Sequence, residues 1–207
     1  MKPYPGLPPP RIGAFLDHEE SKPRYDNKAS FFLGRVDMVC NVGTYLDAPF
    51  HRYPDGTDLA ELPLESIAGV PGKVLGLSPR LSGAIAPKDI LTDWRLSGLA
   101  VLIRTGWDRK WGTDDYWEPG PFLTEETVDR LVESGPTIVG VDFWNIDSPN
   151  DPARPAHTKL LSANIPIVEH LTNLSDLPPK DFRFYAVPPR VVRGASFPVR
   201  AFAELES

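Results

Sequence analysis

Cysteine, long apolar runs and clusters of basic residues are scarce in this chain, and each scarcity excludes a class of protein. The single cysteine, Cys40, excludes an internal disulfide framework and a cysteine-based zinc finger, and it favours a reducing compartment. No stretch reaches the roughly 18 apolar residues needed to cross a bilayer. The first ten residues, MKPYPGLPPP, also lack the apolar core of a signal peptide. We therefore expect a cytoplasmic protein without a membrane partner.

The charge balance argues against a nucleic-acid partner. The chain has 22 basic and 28 acidic residues, a formal net charge of −6, and no basic cluster longer than a few residues. Hydrophobic residues make up 41% and charged residues 24% of its 207 residues, as is typical of a folded globular chain. This length favours one domain.

Proline is abundant, with 24 residues spread along the whole chain. Such a distribution indicates many fixed turns and short strands. The proline-rich residues 1–10 are predicted to form an extended arm that could pack on a partner subunit, and residues 11–207 are predicted to form the single domain.

The hydrophobic pattern predicts a mixed α/β (α+β or α/β) single domain with a largely buried sheet. Strands are predicted over 11–16, 31–40, 73–77, 100–104, 137–141, 165–168, 182–187 and 197–202. Helices are predicted over 124–134, where Thr124 can cap the start and Gly135 the end, and over 87–94 and 157–163. The runs 100–104 and 137–141 are apolar without alternation, which predicts strands covered on both faces.

The segment from Asn41 to His51 carries the densest chemical signal. Gly43 and Pro49 permit bends that we expect to hold Asp47 and His51 on an irregular loop after a strand. Asp47 can serve as an oxygen ligand or an orienting carboxylate, and His51 is the residue type that most often serves as a general base near neutral pH. A helix cap with an ordinary hydrogen-bonded histidine is the structural alternative, and the spacing leaves both interpretations open.

This segment resembles the signature of the metal-dependent cyclase and hydrolase family that includes bacterial kynurenine formamidase and isatin hydrolase. The family pattern is His-x-Gly-Thr-His-x-Asp-x-Pro-x-His. The chain matches five of its seven defined positions, in the form Asn41-x-Gly43-Thr44-Tyr45-x-Asp47-x-Pro49-x-His51. The similarity continues through 58–64, 104–107, 140–142, His157, 165–169 and 171–174. It implies the family's swivelling β/β/α fold.

The resemblance also implies a site. By position, Asp47, His157 and Glu169 are the retained metal-ligand candidates, and His51, beside Asp47, is the retained catalytic base. Asn41 and Tyr45 stand where the family has two histidine ligands. An amide oxygen is a weak zinc ligand and a phenol coordinates well only when deprotonated, so we expect one divalent ion, zinc or manganese, rather than two.

Other side chains are predicted around this site. A buried Glu169 needs a partner, which a metal, Arg104 or Arg193 could supply, whereas His170 is predicted to be a surface or core histidine. Asn41 and Tyr45 are predicted to contact substrate, with the Tyr45 hydroxyl bonded to Asp47, His51 or substrate. Trp107 and Trp144 are predicted to form, with neighbouring aromatics, a wall for a cyclic or aromatic substrate.

Three functions remain open at this stage. The first is a metal-dependent hydrolase that attacks an amide, lactam or lactone of a small molecule through an activated water. The second is a cyclase or dehydratase in which Asp47 and His51 transfer protons with or without metal. The third is a binding protein that has lost its chemistry. In each case we expect a homo-oligomer, either a dimer or a tetramer.

Overall fold

The computed structural model describes residues 3–77 and 83–205. The strands in these residues are β1 Arg11–Leu16, β2 Leu33–Asp37, β3 Tyr45–Asp47, β4 Val70–Gly76, β5 Ala84–Ile85, β6 Ala100–Arg104, β7 Phe122–Leu123, β8 Ile138–Val141, β9 Ile167–Glu169, β10 Phe182–Tyr185, β11 Ser196–Pro198 and β12 Phe202–Leu205. The α-helices are α1 His18–Ser21, α2 Glu125–Ser134 and α3 Pro155–Ser162. Short 3₁₀ turns span Lys22–Tyr25, Pro49–His51, Leu64–Ser66, Pro87–Asp89, Trp107–Lys110, Asp114–Trp117 and Leu174–Asp176.

The architecture is a mixed α/β domain built on one eight-stranded sheet. Its strand order is β11-β3-β9-β8-β6-β4-β10-β12, with parallel pairing from β4 through β6 and β8 to β9 and antiparallel pairing elsewhere. The edge strands β11 and β12 are joined by residues 199–201 alone. Four Cα steps span at most about 15 Å. The sheet must therefore curl until its two edges approach each other.

Both faces of the central strands are buried, as the pattern of 100–104 predicts. Along β6, Val101 and Ile103 pack in the cluster that includes Leu131 of α2 and Leu160 of α3. Leu102 points to the opposite face and joins a second cluster. Each fully buried aliphatic side chain contributes about 1.5–3 kcal/mol relative to exposure. These two apolar layers fix the position of the sheet relative to its helices.

The predicted helix 124–134 is confirmed as α2. The Thr124 side chain accepts a hydrogen bond from the Thr127 backbone N–H at 3.3 Å, and Gly135 ends the helix with a φ of 64°. The helix predicted over 157–163 is α3, which begins two residues earlier because proline is favoured in a first helical turn.

Three local predictions are wrong. Segment 87–94 forms only the 3₁₀ turn Pro87–Asp89, and Trp94 has a positive φ of 56°, which ends any helix there. Segment 197–202 belongs to two strands at opposite edges of the sheet, since Pro198 cannot donate a ladder hydrogen bond. Segment 45–47, expected to be a loop, is strand β3, which lies buried between β9 and β11.

Outside the main sheet, β1 and β2 form an antiparallel ribbon whose residues are exposed except Leu16. The predicted arm makes contacts within its own chain, since Pro3 forms a β-bridge with Val42. None of the helices in residues 3–77 and 83–205 is long and apolar enough to cross a membrane.

Candidate functional site

The candidate site lies where β3, β9 and β11 meet. Alternation along β3 places Tyr45 and Asp47 on one face and Leu46 in the core on the other. Antiparallel pairing sets Tyr45 opposite Glu169 and Asp47 opposite Ser196. The expected irregular loop is therefore wrong for Asp47, which ends a strand, and His51 ends the 3₁₀ turn Pro49–His51.

Asp47 and His51, together with His157 of α3, form a group with the spacing of a metal site. One ligand atom each of Asp47, His51 and His157 lies within 4.8 Å of the other two. Asp47 Oδ2 lies 3.7 Å from His157 Nε2, which is beyond hydrogen-bond distance. Within the described residues, Asp47 Oδ2 is the one buried side-chain polar atom that has no hydrogen-bond partner. An unpartnered buried carboxylate oxygen beside imidazoles suits a divalent cation, so the donor set fits one.

His157 is held by Asp147, a residue that the sequence did not single out. Its Nδ1 lies 2.6 Å from Asp147 Oδ2, while Asp147 Oδ1 accepts the Ala156 backbone N–H at 2.7 Å. The carboxylate therefore fixes the proton on Nδ1 and directs Nε2 toward Asp47. Burial alone would lower the pKa of His157, but the hydrogen bond with Asp147 and the nearby charges of Asp47 and Glu169 outweigh it and raise that pKa to about 10. A cation bound at Nε2 would replace a proton there.

Asp47 and His51 are bridged by Ser196, which the sequence analysis also missed. The Ser196 hydroxyl donates to Asp47 Oδ1 and lies 3.1 Å from His51 Nδ1. The Asn41 amide is 3.3 Å from the same Oδ1. Burial alone would raise the pKa of Asp47, but His157, His51 and Ser196 together hold it below its ordinary value of 3.8. Asp47 is therefore an ionised acceptor with one engaged oxygen and one free oxygen.

Glu169 is hydrogen-bonded to groups of its own chain, and neither of the two arginines offered as ion-pair partners is among them. The Tyr45 hydroxyl donates to Oε2, and the Ile146 backbone N–H donates to Oε1 at 2.7 Å. Oε1 also lies 3.9 Å from His157 Nε2. Its contacts are thus with Tyr45, Ile146 and His157 rather than with Arg104 or Arg193. Of the three partners expected for the Tyr45 hydroxyl, Asp47 and His51 are wrong, because the antiparallel register places Tyr45 opposite Glu169. The third, substrate, stays a prediction.

The protonation states of Tyr45 and Glu169 follow from their burial. Burial, followed by the charges of Glu169 and Asp47, raises the pKa of Tyr45 well above 10.0, so its hydroxyl stays a neutral donor. Burial also raises the pKa of Glu169 to about 7, although the charge of His157 opposes the shift. A neutral phenol that donates its proton is a poor metal ligand.

The aromatic residues predicted to line the site occupy distinct places. Trp107 is buried, its indole N–H donates to the Tyr116 carbonyl at 3.0 Å, and the Lys110 ammonium lies over its ring. Trp144 is also buried, and its indole N–H donates to the Glu118 carbonyl at 3.1 Å. Trp107 is therefore integrated into the core, whereas Trp144 contacts the ring of Tyr4.

His170 is a buried histidine of this region. Its Nδ1 lies 2.8 Å from the Tyr116 hydroxyl, and burial lowers its pKa to about 4. It is therefore neutral near pH 7. Its backbone has a φ of 58°, an uncommon conformation for a residue with a side chain.

No short-range signal could have identified Asp147 and Ser196. Asp147 acts on a histidine ten positions later, and Ser196 reaches a carboxylate 149 positions earlier. Asp142, which belongs to a stretch similar to the family, accepts hydrogen bonds from the Thr105 and Gly106 backbone N–H groups at 2.8 and 2.7 Å. It joins the loops that follow β6 and β8.

Comparison with known proteins places this geometry in a family. Residues 8–148 match the family model described as "Putative cyclase". The kynurenine formamidase of Salinibacter ruber is 30% identical over 179 residues, which cover 86% of this chain and 82% of that protein.

Two solved structures have the same fold. Isatin hydrolase A from Labrenzia aggregata, bound to benzyl benzoate, superposes with a TM-score of 0.81 at 24% identity and covers 100% of this chain and 90% of that one. A potential metal-dependent hydrolase with cyclase activity has a TM-score of 0.75 at 25% identity, with 97% of this chain and 92% of that one covered. With its β3 signature, its curled sheet and these relatives, the chain belongs to the cyclase family.

Proposed function

We propose that this protein is a metal-dependent hydrolase of a non-peptide C–N bond, in an amide or lactam of a small molecule. The observation that carries the proposal is the buried, unpartnered Asp47 Oδ2, which faces His157 Nε2 at 3.7 Å. The names of its relatives, kynurenine formamidase and potential metal-dependent hydrolase, support the same class of reaction. A lactone is a related acyl substrate for the same chemistry.

Asp47 and His157 would hold the ion, and Glu169 Oε1, which keeps one lone pair, would complete the set. All three side chains are buried, whereas the His51 side chain is 32% exposed. Carboxylate and imidazole ligands suit Zn²⁺ or Mn²⁺. When bound, such an ion supplies Lewis acidity and makes water nucleophilic near neutral pH.

His51 would act as the general base. An ionised Asp47 can only accept hydrogen bonds, so the Ser196 hydroxyl donates a hydrogen bond to Asp47. The Ser196 oxygen then accepts a hydrogen bond from the Nδ1–H of His51. This arrangement leaves the lone pair on His51 Nε2 free to take a proton from water and return it to the leaving nitrogen. The partial exposure of His51 gives solvent and substrate access to it.

Tyr45 and Asn41 would restrict the site to one ion. The Tyr45 hydroxyl engages Glu169, and the Asn41 amide faces Asp47 Oδ1. Each residue thus presents a hydrogen-bond donor to a carboxylate at a position where the family pattern has a histidine. We expect both to border the bound substrate.

Metal analysis combined with a substrate screen tests this function. Protein purified without chelator should contain about one equivalent of zinc or manganese, and it should hydrolyse at least one of N-formylaniline, a lactam and a lactone. Asp47→Asn should lose both metal and activity, and Asp37→Asn, an exposed control, should lose neither. Metal-free protein that stays inactive after zinc or manganese is added would refute the proposal.

A cyclase or dehydratase is the second candidate, and the Asp47–Ser196–His51 chain favours it because that chain moves a proton without an ion. Turnover that survives complete chelation would select this candidate. If the protein binds a small molecule without converting it, the third hypothesis, a binding protein, applies instead.

We further propose that the chain forms a homo-oligomer through the β1–β2 ribbon. Ile12 and Phe15 on this ribbon are each 75% exposed, and Val36 on the neighbouring strand is 56% exposed. Apolar side chains of this size on a two-stranded ribbon are typical of an interface. Light scattering should return the mass of two or four chains of 22.9 kDa each, and Phe15→Lys should reduce it to the mass of one chain.

The single cysteine supports a cytoplasmic location, which fractionation of the host cell would test.

A further inference from the structure

A row of rings connects the N-terminal arm to the candidate site. The row consists of Tyr4, Trp117, His170 and Tyr45. Successive ring centroids lie 5.7 Å apart for Tyr4 and Trp117, 6.0 Å for Trp117 and His170, and 5.4 Å for His170 and Tyr45. The Tyr45 end is bonded to Glu169, whose Oε1 lies 3.9 Å from His157 Nε2. The row is thus continuous with the proposed catalytic groups.

The outer end of the row is partly open to solvent. Tyr4 is 39% exposed, whereas Tyr45 is 7% exposed at the inner end. Trp144 flanks Tyr4 at 5.4 Å and lies two residues before Ile146, whose N–H holds Glu169. Exposed aromatic area beside buried polar groups is the usual composition of a small-molecule site.

The arm is fixed at this place by its own backbone. Pro3 forms a β-bridge with Val42, the residue after Asn41, and the Leu7 N–H donates to the Tyr4 carbonyl at 3.0 Å. The Asn41 side chain in turn reaches Asp47. The arm therefore presents the Tyr4 ring at the edge of the signature segment of the same chain.

We propose that Tyr4 is a specificity-determining residue that packs against the planar ring of an aryl amide substrate. This inference rests on the proposed function, because it assigns the acyl group of the substrate to the ion site and its ring to the outer end of the row. Ring-on-ring packing provides a preference for aryl over alkyl amides, and the amide chemistry itself does not depend on Tyr4.

Kinetics with two formamides test the assignment. Tyr4→Ala should raise the KM for N-formylaniline by roughly 2- to 10-fold, with kcat unchanged, since an aromatic pair contributes that much binding. The kinetics of N-methylformamide, which has no ring, should not change. Tyr4→Phe should behave as the unaltered protein, and Tyr4→Leu, which keeps apolar volume on the arm, should share the defect of Tyr4→Ala. The matched control is Tyr25→Ala, because Tyr25 is 47% exposed and packs on Phe31, which precedes β2.

A binding measurement separates this inference from the proposed function. Acetanilide should quench tryptophan emission in the unaltered protein and in Tyr25→Ala with the same Kd, and roughly 2- to 10-fold more weakly in Tyr4→Ala. If no formamide is hydrolysed but this dependence on Tyr4 persists, the hydrolase proposal fails and the Tyr4 assignment stands. If N-formylaniline is hydrolysed equally by Tyr4→Ala and the unaltered protein, or if acetanilide does not bind, the Tyr4 assignment is wrong.

Discussion

The Tyr45 hydroxyl donates a hydrogen bond to Glu169 across the antiparallel strands β3 and β9. In the family pattern the position of Tyr45 is a histidine, which offers a lone pair to a metal. The high pKa of the buried phenol keeps it protonated, so it donates a hydrogen bond instead. With tyrosine in place of histidine, this position therefore holds a neighbouring carboxylate and does not offer a metal ligand.

We expect Tyr45→Phe to destabilise the fold. The change removes only the hydroxyl and leaves Glu169 Oε2 without its donor in a buried site, which costs about 1–3 kcal/mol of unfolding free energy. Urea unfolding at pH 7 measures the loss. Tyr185→Phe is the matched control, because that hydroxyl also donates to a glutamate, Glu204, but at an exposed position. Equal stabilities of the Tyr45→Phe variant and the unaltered protein would show that Glu169 finds another partner.

His51→Gln should abolish most turnover without removing the metal. A general base typically contributes 10²- to 10⁴-fold in rate, and the residue lies on a partly exposed 3₁₀ turn, so its loss should leave the melting temperature nearly unchanged. The rate, the metal content and the melting curve are measured on the same preparation. His18→Gln, at an exposed histidine, is the control. Loss of the metal in His51→Gln would instead assign His51 as the third ligand of the group that it forms with Asp47 and His157.

Asp147→Asn should weaken metal binding although Asp147 does not face the ion. The carboxylate fixes the Nδ1 proton of His157, and removal of such an outer partner typically costs 10- to 100-fold in metal affinity. Competition with a chromophoric chelator measures the affinity. Asp129→Asn, which alters a carboxylate paired with Lys159 on the surface, should bind metal as the unaltered protein does. An affinity unchanged by Asp147→Asn would exclude a positioning role for Asp147.

The double change Asn41→His and Tyr45→His should raise the metal content from about one toward two equivalents per chain. Both substitutions restore the histidines of the family pattern at positions whose side chains already reach Asp47 and Glu169. Elemental analysis after dialysis against zinc measures the stoichiometry. The single variants serve as controls, and a folded double variant that gains no ion would contradict the interpretation of these two residues.

Asp58 should make part of the stability acid-sensitive. It accepts the backbone N–H groups of Arg193, Ala60 and Glu61, and these hydrogen bonds hold its pKa below 3.8. A carboxylate whose pKa is lower in the folded state stabilises the fold above its unfolded pKa, and that contribution is lost as the pH falls through the folded pKa. Asp58→Asn should therefore be less stable than the unaltered protein at pH 7, with a difference that shrinks below about pH 4. A difference that is constant with pH would show that the charge of Asp58 is not involved.

The sequence by itself determined the elements that depend on local pattern. The apolar run of β6 and the caps of α2 identify those two elements because strand burial and helix capping are encoded within a few residues. The signature segment likewise identified Asp47 and His51, and the resemblance identified His157 and Glu169, as residues that belong to one site. The hydrogen bond from Tyr45 to Glu169 could not be predicted, since it depends on the register between β3 and β9.

Only the tertiary structure decided how these residues meet. Strand β3 was missed because three residues carry too short a pattern, and it exists because β9 and β11 supply hydrogen-bond partners on both sides. Ser196 reaches Asp47 only because the curled sheet places β11 beside β3, and Asp147 reaches His157 only where the loop after β8 turns into α3. Hydrogen bonds between residues far apart in the chain leave no periodic trace in the sequence, so pairing and register, which the whole fold sets, determine the geometry of the site.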